Sequence, residues 1–345
     1  MDTFNYDKYK ARQKRLQEPI TSVKKVYDQS SYLCDLYQQE KKSFCLMGVK
    51  DTDYIPNTLL SRLCEHGFVP HTLDKMARGG RAIDIDLVNP LTGRPMTGSS
   101  SGTAINVLED YNDIGLGTDG GGSVLAPALS VNLYGLISPL FYRNEKLRKD
   151  STDGISFVPS VGFIAKKVEL LKEVTEVFVH IEPLDKLQIL LPSTGSLSYE
   201  GKDQTKILEE ALADNEGLIL HYKEYPNIYG DRQDNIRFLE DQLKQYDVIM
   251  TYEGPVDYHG FGDSVFGLFN QASRANQEQS KKGLVRVANM VNASALVVPT
   301  NDFSSGYVLI ANGNSEGLSA LFTLEEKLNG KLDNKLFKRY FTIHP

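Results

Sequence analysis

Cysteine is scarce in this 345-residue sequence, which contains only Cys34, Cys45 and Cys64. No two of them have CxxC spacing, and none lies near a pair of histidines at the spacing of a zinc finger. Both absences argue against a zinc site. A sparse and odd set of cysteines in a long chain is typical of a reducing compartment. We therefore expect a cytoplasmic protein that holds no metal.

Long apolar runs are also missing. The first residues, MDTFNYDKYKARQKRLQEP, are charged throughout and lack the apolar segment of a signal peptide. No other stretch approaches the apolar length of a membrane span. We expect a soluble protein with no membrane partner.

The sequence has no excess of basic residues. Lys and Arg number 38 against 45 Asp and Glu, which gives a formal net charge of -7. A nucleic-acid partner requires a basic stripe that neutralises phosphates. The charge balance therefore disfavours a nucleic-acid partner.

A nucleotide-binding pattern is present only in part. The letters GLGTDG fit G-x-G-x-x-G at Gly115, Gly117 and Gly120. The acidic residue that would hold a ribose about 20 positions later is missing, because no Asp or Glu occurs between residues 124 and 144. No lysine follows the glycines, so the phosphate-binding Walker pattern fails as well. We expect no cofactor.

Apolar strands alternate with helices in the second half of the chain, which indicates an α/β architecture. The unbroken runs of Val, Ile and Leu are typical of strands covered on both faces. The predicted strands are LQILLPS, GLILHYK, YDVIMTY, ALVVPT and GYVLIA, and the predicted helices are KDQTKILEEALADN, NIRFLEDQLKQY and EGLSALFTLEEKL.

The first half gives shorter signals. We expect helical character at 6–16 and 22–39, a strand at 43–49, a helix at 58–68, and a loop or short strand at 81–90. Further on, TGSSSG forms a loop before a helix, DIGLGTD forms a buried strand, and SVLAPALSVNLYG forms the next helix. The polar segment 143–154 is the most loop-like part of the chain.

The glycine run before Ser123 has two interpretations. Backbone N–H groups of Gly120, Gly121, Gly122 and Ser123 could form an oxyanion hole, since bare glycines let a substrate carbonyl approach the main chain. Alternatively, the glycines form a turn and Ser123 is an N-cap. On this stretch alone the second interpretation is favoured.

A second loop changes this balance. TGSSSGTA places Ser99, Ser100 and Ser101 before a helix, where serines alone would be N-caps. Together, TGSSSG and GTDGGGS resemble the amidase signature family, which carries a Gly-Gly-Ser-Ser-Gly-Gly loop and, about two dozen residues later, a Gly-Thr-Asp-x-Gly-Gly-Ser loop. Ser99 and Ser123 occupy the matching serine positions.

The resemblance extends along the chain. MGVKDTDY is similar to the family segment that supplies a lysine, here Lys50, and NPLTGRPMTGSS is similar to the approach to the serine loop. Weaker matches continue to about residue 328. The resemblance implies one large catalytic domain over 44–345, with a mixed, largely buried central sheet covered by helices on both faces. Residues 1–43 would form a polar, partly helical extension.

The resemblance also implies an amidase, a hydrolase of carbon–nitrogen bonds, that uses a Ser-Ser-Lys triad and an acyl-enzyme. Ser123 would be the nucleophile, Ser99 the bridging serine after a cis peptide bond, and Lys50 the base. A lysine acts as a base only when it is uncharged, and burial after the apolar run FCLMGV would lower its pKa. Three further residues match family positions that support the site: Ser100, Thr118 and Asp119.

Several residues depart from the family pattern. Thr97 and Ser101 replace glycines, Leu125 stands where an arginine is common, and the segments that usually build the substrate pocket are shortened. We expect a small-molecule or peptide-like amide as substrate. The alternatives are a non-catalytic partner subunit that retains the fold and a glutaminase subunit of an amidotransferase. The segment DYHGFGD at 257–263 is a surface turn or a loop at the pocket rim.

Overall fold

The computed structural model describes residues 6–342. Within that range the chain forms β-strands and α-helices in alternation. The strands are β1 (Val23–Val26), β2 (Cys45–Lys50), β3 (Phe68–Asp74), β4 (Ile83–Val88), β5 (Pro95–Thr97), β6 (Ile114–Asp119), β7 (Tyr134–Ile137), β8 (Lys149–Asp150), β9 (Ser156–Phe157), β10 (Ser160–Ala165), β11 (Leu187–Pro192), β12 (Ser198–Tyr199), β13 (Lys202–Asp203), β14 (Leu218–Lys223), β15 (Val248–Glu253), β16 (Ser294–Pro299) and β17 (Gly306–Ala311). The helices are α1 (Tyr6–Arg15), α2 (Gln29–Gln39), α3 (Asn57–Glu65), α4 (Ser101–Leu108), α5 (Leu125–Ser130), α6 (Val168–Glu176), α7 (Gln204–Leu212), α8 (Arg232–Gln242), α9 (Ser264–Gly267), α10 (Gln271–Glu278), α11 (Ser315–Lys327) and α12 (Lys335–Tyr340).

Eleven strands form one central sheet in the order β1-β3-β2-β6-β10-β7-β16-β17-β15-β11-β14. Strands β3, β2 and β6 run parallel, as do β15, β11 and β14. The strands between these two groups pair antiparallel. The mixed, largely buried sheet of the predicted α/β fold is therefore confirmed.

Helices cover both faces of the sheet, because the buried strands are apolar on each side. Along β16, Leu296 and Val298 join one hydrophobic core, whereas Ala295 and Val297 join the other. Helices α3, α6, α7 and α11 pack in the first core, and α4, α5 and α8 pack in the second. This alternation is what a strand period of two residues produces when both faces are covered.

Three segment predictions were wrong. Residues 23–26, predicted as helix, form the edge strand β1, which pairs with β3. The helix predicted over 123–135 ends at Ser130, because the chain then turns into β7 and extends the sheet. Strand β14, predicted to be covered on both faces, lies at the sheet edge and is largely half-exposed. Propensity cannot identify edge positions, since sheet order decides them.

The described part of the N-terminal segment packs on the rest of the chain. Arg12 of α1 is fully buried, and its guanidinium pairs with Asp110 at 2.8 Å and with Asp113 at 2.7 Å. The predicted boundary between residues 43 and 44 stays a prediction. No helix of the described range has the length and apolar character required to cross a membrane.

Candidate active site

The candidate site lies at the carboxyl ends of two neighbouring strands inside the central sheet. Strands β2 and β6 are parallel neighbours, with Val49 beside Leu116, so their carboxyl ends meet. Lys50 is the last residue of β2, and Thr118 and Asp119 are the last residues of β6. The sheet therefore brings Lys50 to the two residues that precede the glycine run.

Lys50 is buried and surrounded by three oxygen atoms. Its Nζ lies 2.7 Å from Ser99 Oγ, 3.0 Å from Thr118 Oγ1 and 3.2 Å from the Thr118 carbonyl oxygen. Burial lowers the pKa of Lys50 from 10.5 to about 7, while the nearby Asp119 raises this pKa and the charge of Lys149 lowers it. Desolvation disfavours the ammonium form of Lys50 relative to the uncharged amine.

The serine loop, residues 98–100, lies next to Lys50. The Gly98–Ser99 peptide bond is cis, as the family resemblance implies for the bridging serine. A Cβ atom on Gly98 would lie 2.4 Å from the Arg81 carbonyl oxygen, so a side chain has no room there. The Gly98 N–H donates to the Ala82 carbonyl at 2.9 Å, and the Ser99 carbonyl accepts the Ala77 N–H at 3.1 Å.

Ser123 is half-buried and lines the same cavity as Lys50 and Ser99. The Ser123 carbonyl accepts the Ser100 N–H at 3.1 Å, which ties the two serine loops together. Within the described residues the Ser123 hydroxyl makes no hydrogen bond to Ser99 or Lys50, so the third contact of the triad stays a prediction. The N-cap interpretation fails for Ser123, because the N-cap of α5 is Val124 and, in the described part of the chain, no side chain makes a capping hydrogen bond to that helix.

The supporting serine also differs from an N-cap. Ser100 occupies the N-cap position of α4, yet its side chain makes no capping hydrogen bond. Its buried Oγ has no hydrogen-bond partner in the described range and lies 2.7 Å from the place of a Cβ atom on Gly117. The glycine at 117 therefore leaves space for the Ser100 side chain.

Asp119 holds the shape of the glycine run. One carboxylate oxygen accepts the Gly122 N–H at 2.7 Å, and the other accepts the N–H groups of Val124 at 2.6 Å and Leu125 at 3.3 Å. Burial raises the pKa of Asp119, and these hydrogen bonds oppose that effect. The structure thus explains why an acid belongs at this position.

One of the four predicted oxyanion-hole donors is already hydrogen-bonded within the protein. Because the Gly122 N–H is committed to Asp119, we remove this donor from the predicted set. The N–H groups of Gly120, Gly121 and Ser123 donate to no other group in the described part of the chain, and they remain the predicted donors. The carbonyl of Gly120 accepts from Asn289, a residue with no sequence signal of its own.

The cavity in front of these residues has a volume of about 510 Å³. Its wall carries charged side chains that the sequence did not single out. Lys149 lies with its Nζ 4.8 Å from the centre of the Tyr54 ring. Arg232 binds Asp153, and one of its guanidinium nitrogens lies 3.2 Å from the place of a Cβ atom on Gly121. An arginine from α8 therefore borders the glycine run, although Leu125 provides none.

A larger groove of about 1210 Å³ lies elsewhere, between α2, α3 and the start of β3. It contains none of the predicted site residues, so we assign the site to the smaller cavity.

The segment 257–263 reaches the rim of this smaller cavity through Asp263, whereas His259 is exposed and does not line it. Among residues 6–342, no three His, Cys, Asp or Glu side chains are grouped to hold a metal ion.

A sequence model of the amidase family matches residues 88–217, which include both serine-containing loops. Over this segment the chain is similar to the amidase family. No match was found among curated protein sequences. Lys50 lies outside the matched amidase segment, and in the structure it contacts Ser99 and Thr118 of the two loops.

Solved structures of amidase signature proteins share the fold. Kluyveromyces lactis allophanate hydrolase superposes with a TM-score of 0.64 and 16% identity, covering 94% of this chain and 70% of the other. A protein described as an amidase gives 0.64 and 14%, covering 94% and 95%. One of the subunits of the Thermotoga maritima glutamyl-tRNA(Gln) amidotransferase gives 0.62 and 16%, covering 93% and 92%. At these identities the comparisons establish the fold.

Proposed function

We propose that the protein hydrolyses an amide bond, with Ser123 as nucleophile, Ser99 as proton relay and Lys50 as base. The match of residues 88–217 to the amidase family supports carbon–nitrogen hydrolysis as the general class of reaction. The observation that carries the specific proposal is the 2.7 Å contact between Lys50 Nζ and Ser99 Oγ in a buried environment. A surface lysine would be charged at neutral pH and could not accept a proton.

The surroundings of Lys50 can accommodate an uncharged amine. A neutral amine has two N–H donors and one lone pair. Thr118 offers two acceptors, its carbonyl and its hydroxyl oxygen, at 3.2 and 3.0 Å. The lone pair is then left to accept the hydroxyl proton of Ser99. Ser99 in turn can accept the proton of Ser123 once the Ser123 side chain rotates toward it.

The proposed acylation step follows from this relay. The Ser99 proton passes to Lys50, the Ser123 proton passes to Ser99, and a bond forms between Ser123 Oγ and the amide carbon. The carbonyl oxygen gains negative charge and binds to the N–H groups of Gly120, Gly121 and Ser123. When the tetrahedral intermediate collapses, the carbon–nitrogen bond breaks. The leaving nitrogen takes a proton from Ser99, and Lys50 returns its proton to Ser99.

Water then releases the acyl group along the same relay. It loses a proton through Ser99 to Lys50 as its oxygen bonds to the acyl carbon. The bond to Ser123 Oγ breaks, Ser123 regains a proton, and Lys50 ends uncharged again. Each proton is returned, so the cycle needs no metal or cofactor.

The proposed substrate is a small-molecule or peptide-like amide. A cavity of about 510 Å³ lies within the range of small-molecule sites, which span roughly 300–1,000 Å³. Two alternatives remain from the sequence: a glutaminase subunit of an amidotransferase, and a partner subunit that binds without turnover. The likeness to an amidotransferase subunit supports the first alternative. The lowered pKa of Lys50 and the N–H groups of the glycine run favour catalysis over binding alone.

Labelling with a fluorophosphonate probe tests the proposal. The wild-type protein should form a covalent adduct on Ser123, and Ser123→Ala should form none. Ser61→Ala, which removes an exposed serine on α3, is the matched control and should be labelled like wild type. Well-folded wild-type protein that resists labelling would favour the partner-subunit alternative.

A substrate panel separates hydrolysis from transfer. Primary amides, anilides, short peptides and glutamine are each incubated with and without hydroxylamine as acceptor. A hydrolase releases the acid from at least one amide in the absence of an acceptor. A product that forms only when the acceptor is present, and only from glutamine, would favour the glutaminase alternative.

A further inference from the structure

Two buried hydroxyl groups flank the serine loop, residues 98–100, and each donates to a buried carboxylate. Thr97 Oγ1 lies 2.6 Å from Asp257 Oδ2, and Ser101 Oγ lies 2.5 Å from Asp84 Oδ2. All four residues are at most 3% exposed. A hydrogen bond to a buried carboxylate therefore holds the loop that carries Ser99 at each of its ends.

We propose that Asp257 and Asp84 are positioning residues, which act through Thr97 and Ser101 to keep Ser99 in register with Lys50. This inference rests on the proposed function of Ser99 as the relay. Thr97 and Ser101 stand where the amidase signature pattern has glycines, which have no side chain to donate. The two anchors are therefore features of this chain.

Asp257 is itself held rigidly. Its second oxygen accepts the Gly262 N–H at 2.9 Å, and Lys282 Nζ lies 2.7 Å from the oxygen that binds Thr97. Lys282 is 3% exposed, so water screens this ion pair weakly. Lys282 also donates to the Ala82 carbonyl at 3.3 Å, the same carbonyl that accepts the Gly98 N–H. The Lys282 ammonium group thus contacts both Asp257, which binds Thr97, and the carbonyl that binds Gly98 at the start of the serine loop.

Asp84 anchors the exit of the loop. It lies on β4, opposite Met96 of the neighbouring strand β5. Its other oxygen accepts the Asp86 N–H at 2.9 Å, which fixes the orientation of the carboxylate. Ser101 is the first residue of α4, so its hydrogen bond ties the start of that helix back to the hairpin that delivers the loop.

The loop must place the Ser99 oxygen within hydrogen-bond distance of Lys50 and within reach of Ser123. Misplacement of a catalytic group by about 1 Å costs on the order of 100-fold in rate. Hydrogen bonds from buried hydroxyls to carboxylates are short and directional, and so suit that requirement.

Isosteric substitutions test the inference. Thr97→Val and Ser101→Ala remove the hydroxyls, yet Asp257 keeps Lys282 and Asp84 keeps the Asp86 N–H. We expect each variant to lose about 10- to 100-fold in kcat, with KM changed by less than about threefold. Thr97→Ser restores the donor and should recover most of kcat. Thr175→Val, which removes a fully buried hydroxyl bonded to a carbonyl within α6, is the control and should match wild type.

Hydrogen–deuterium exchange gives a readout that does not depend on turnover. Peptides covering residues 95–103 should exchange about tenfold faster in Thr97→Val and Ser101→Ala, and unchanged in Thr175→Val. If wild type neither labels nor turns over, the proposed function fails while the exchange result still tests the anchors. Unchanged exchange in both variants would overturn the anchors. Normal exchange together with a normal kcat in Thr97→Val or in Ser101→Ala would overturn the anchor that the variant removes.

Discussion

The Asp119 carboxylate accepts the Gly122 N–H at 2.7 Å and, with its other oxygen, the Val124 N–H at 2.6 Å. This one side chain therefore spans the residue that is proposed to attack the substrate. Ser123 lies between the two bonded amides, and the carboxylate fixes the backbone on both sides of it. The conformation of the glycine run depends on an acceptor that can bind N–H groups in two directions.

Asp119→Asn should impair both stability and activity. An amide side chain has one acceptor oxygen, and its NH₂ group faces backbone donors, so at least one N–H loses its partner. Such a loss costs about 1–3 kcal/mol in the free energy of unfolding. We expect kcat to fall by about 10- to 100-fold, because the N–H donors move. Urea unfolding and steady-state kinetics measure the two effects, and wild-type kcat in this variant would contradict this role of Asp119.

Alanine substitutions at two adjacent glycines, Gly120 and Gly121, should lower the stability of the protein by different amounts. A Cβ atom on Gly120 would lie 2.1 Å from the ring of Phe157, whereas a Cβ atom on Gly121 would lie 3.2 Å from the end of the Arg232 side chain. An aromatic ring in a packed wall yields less easily than a flexible guanidinium. We expect Gly120→Ala to destabilise the protein by about 1–3 kcal/mol.

Gly121→Ala is the matched variant, and it should cost clearly less stability than Gly120→Ala. Thermal unfolding of both proteins under one set of conditions measures the difference. Equal melting temperatures would show that Phe157 does not limit the space at Gly120.

The charge of Lys149 should shift the pH profile of acylation. The pKa of Lys50 is lowered to about 7, mainly by burial, and the charge of Lys149 contributes to this lowering. Removing the positive charge of Lys149 stabilises the ammonium form of Lys50, so the pKa of Lys50 rises. In Lys149→Gln the rise of the acylation rate with pH should therefore move to higher pH. The shift should shrink at high salt, because Lys149 is exposed.

Measurement of probe labelling between pH 5 and 10 tests this shift. Lys202→Gln, which changes an exposed lysine outside the cavity wall, should keep the wild-type profile. A profile for Lys149→Gln that moves toward lower pH would contradict the electrostatic argument.

Arg12 should make a large contribution to stability. Burial raises the pKa of Asp113, yet the charge and hydrogen bond of Arg12 outweigh burial and lower it to about 2. Arg12→Met leaves the buried Asp110 and the half-buried Asp113 without the guanidinium, which costs about 3 kcal/mol in the free energy of unfolding. Arg15→Met, at a guanidinium that is 40% exposed, should cost less than about 1 kcal/mol.

The Arg12 contribution should also depend on pH. The pKa of Asp113 is depressed in the folded state, so the stabilisation is present above about pH 4 and lost as the pH falls toward 2. Urea titrations at pH 7 and pH 3 measure this dependence. A difference between wild type and Arg12→Met that grows on acidification would contradict the assignment.

Much of the fold could be predicted, because its strands carry their own signal. The runs at β2, β6, β11, β15, β16 and β17 are unbroken and apolar, as expected where helices cover both faces. Edge strands could not be predicted in this way. The sequence VKKV of β1 has no period that separates it from a helix, and only its pairing with β3 makes it a strand.

The candidate site could be predicted only where the residues are close in sequence. The two loops with Ser99 and Ser123 carry a recognisable spacing, and Lys50 Nζ lies 2.7 Å from Ser99 Oγ. Arg232 and Asn289 could not be found, because each reaches the site from a distant element and neither lies in a motif. Asp257 lies in a segment that the sequence marked as a turn, and its buried bond to Thr97 depends on tertiary packing.

The central claim is that an uncharged Lys50 drives the acylation of Ser123, and the pH dependence of that step in wild type and Lys50→Met measures it most directly. The account predicts that the wild-type rate of fluorophosphonate attachment to Ser123 rises about tenfold per pH unit below pH 7 and then levels off. In Lys50→Met the rate should be lower by about 10²- to 10⁴-fold and should lose this inflection. A folded Lys50→Met protein that is labelled at Ser123 with the wild-type rate and the same inflection would contradict the account.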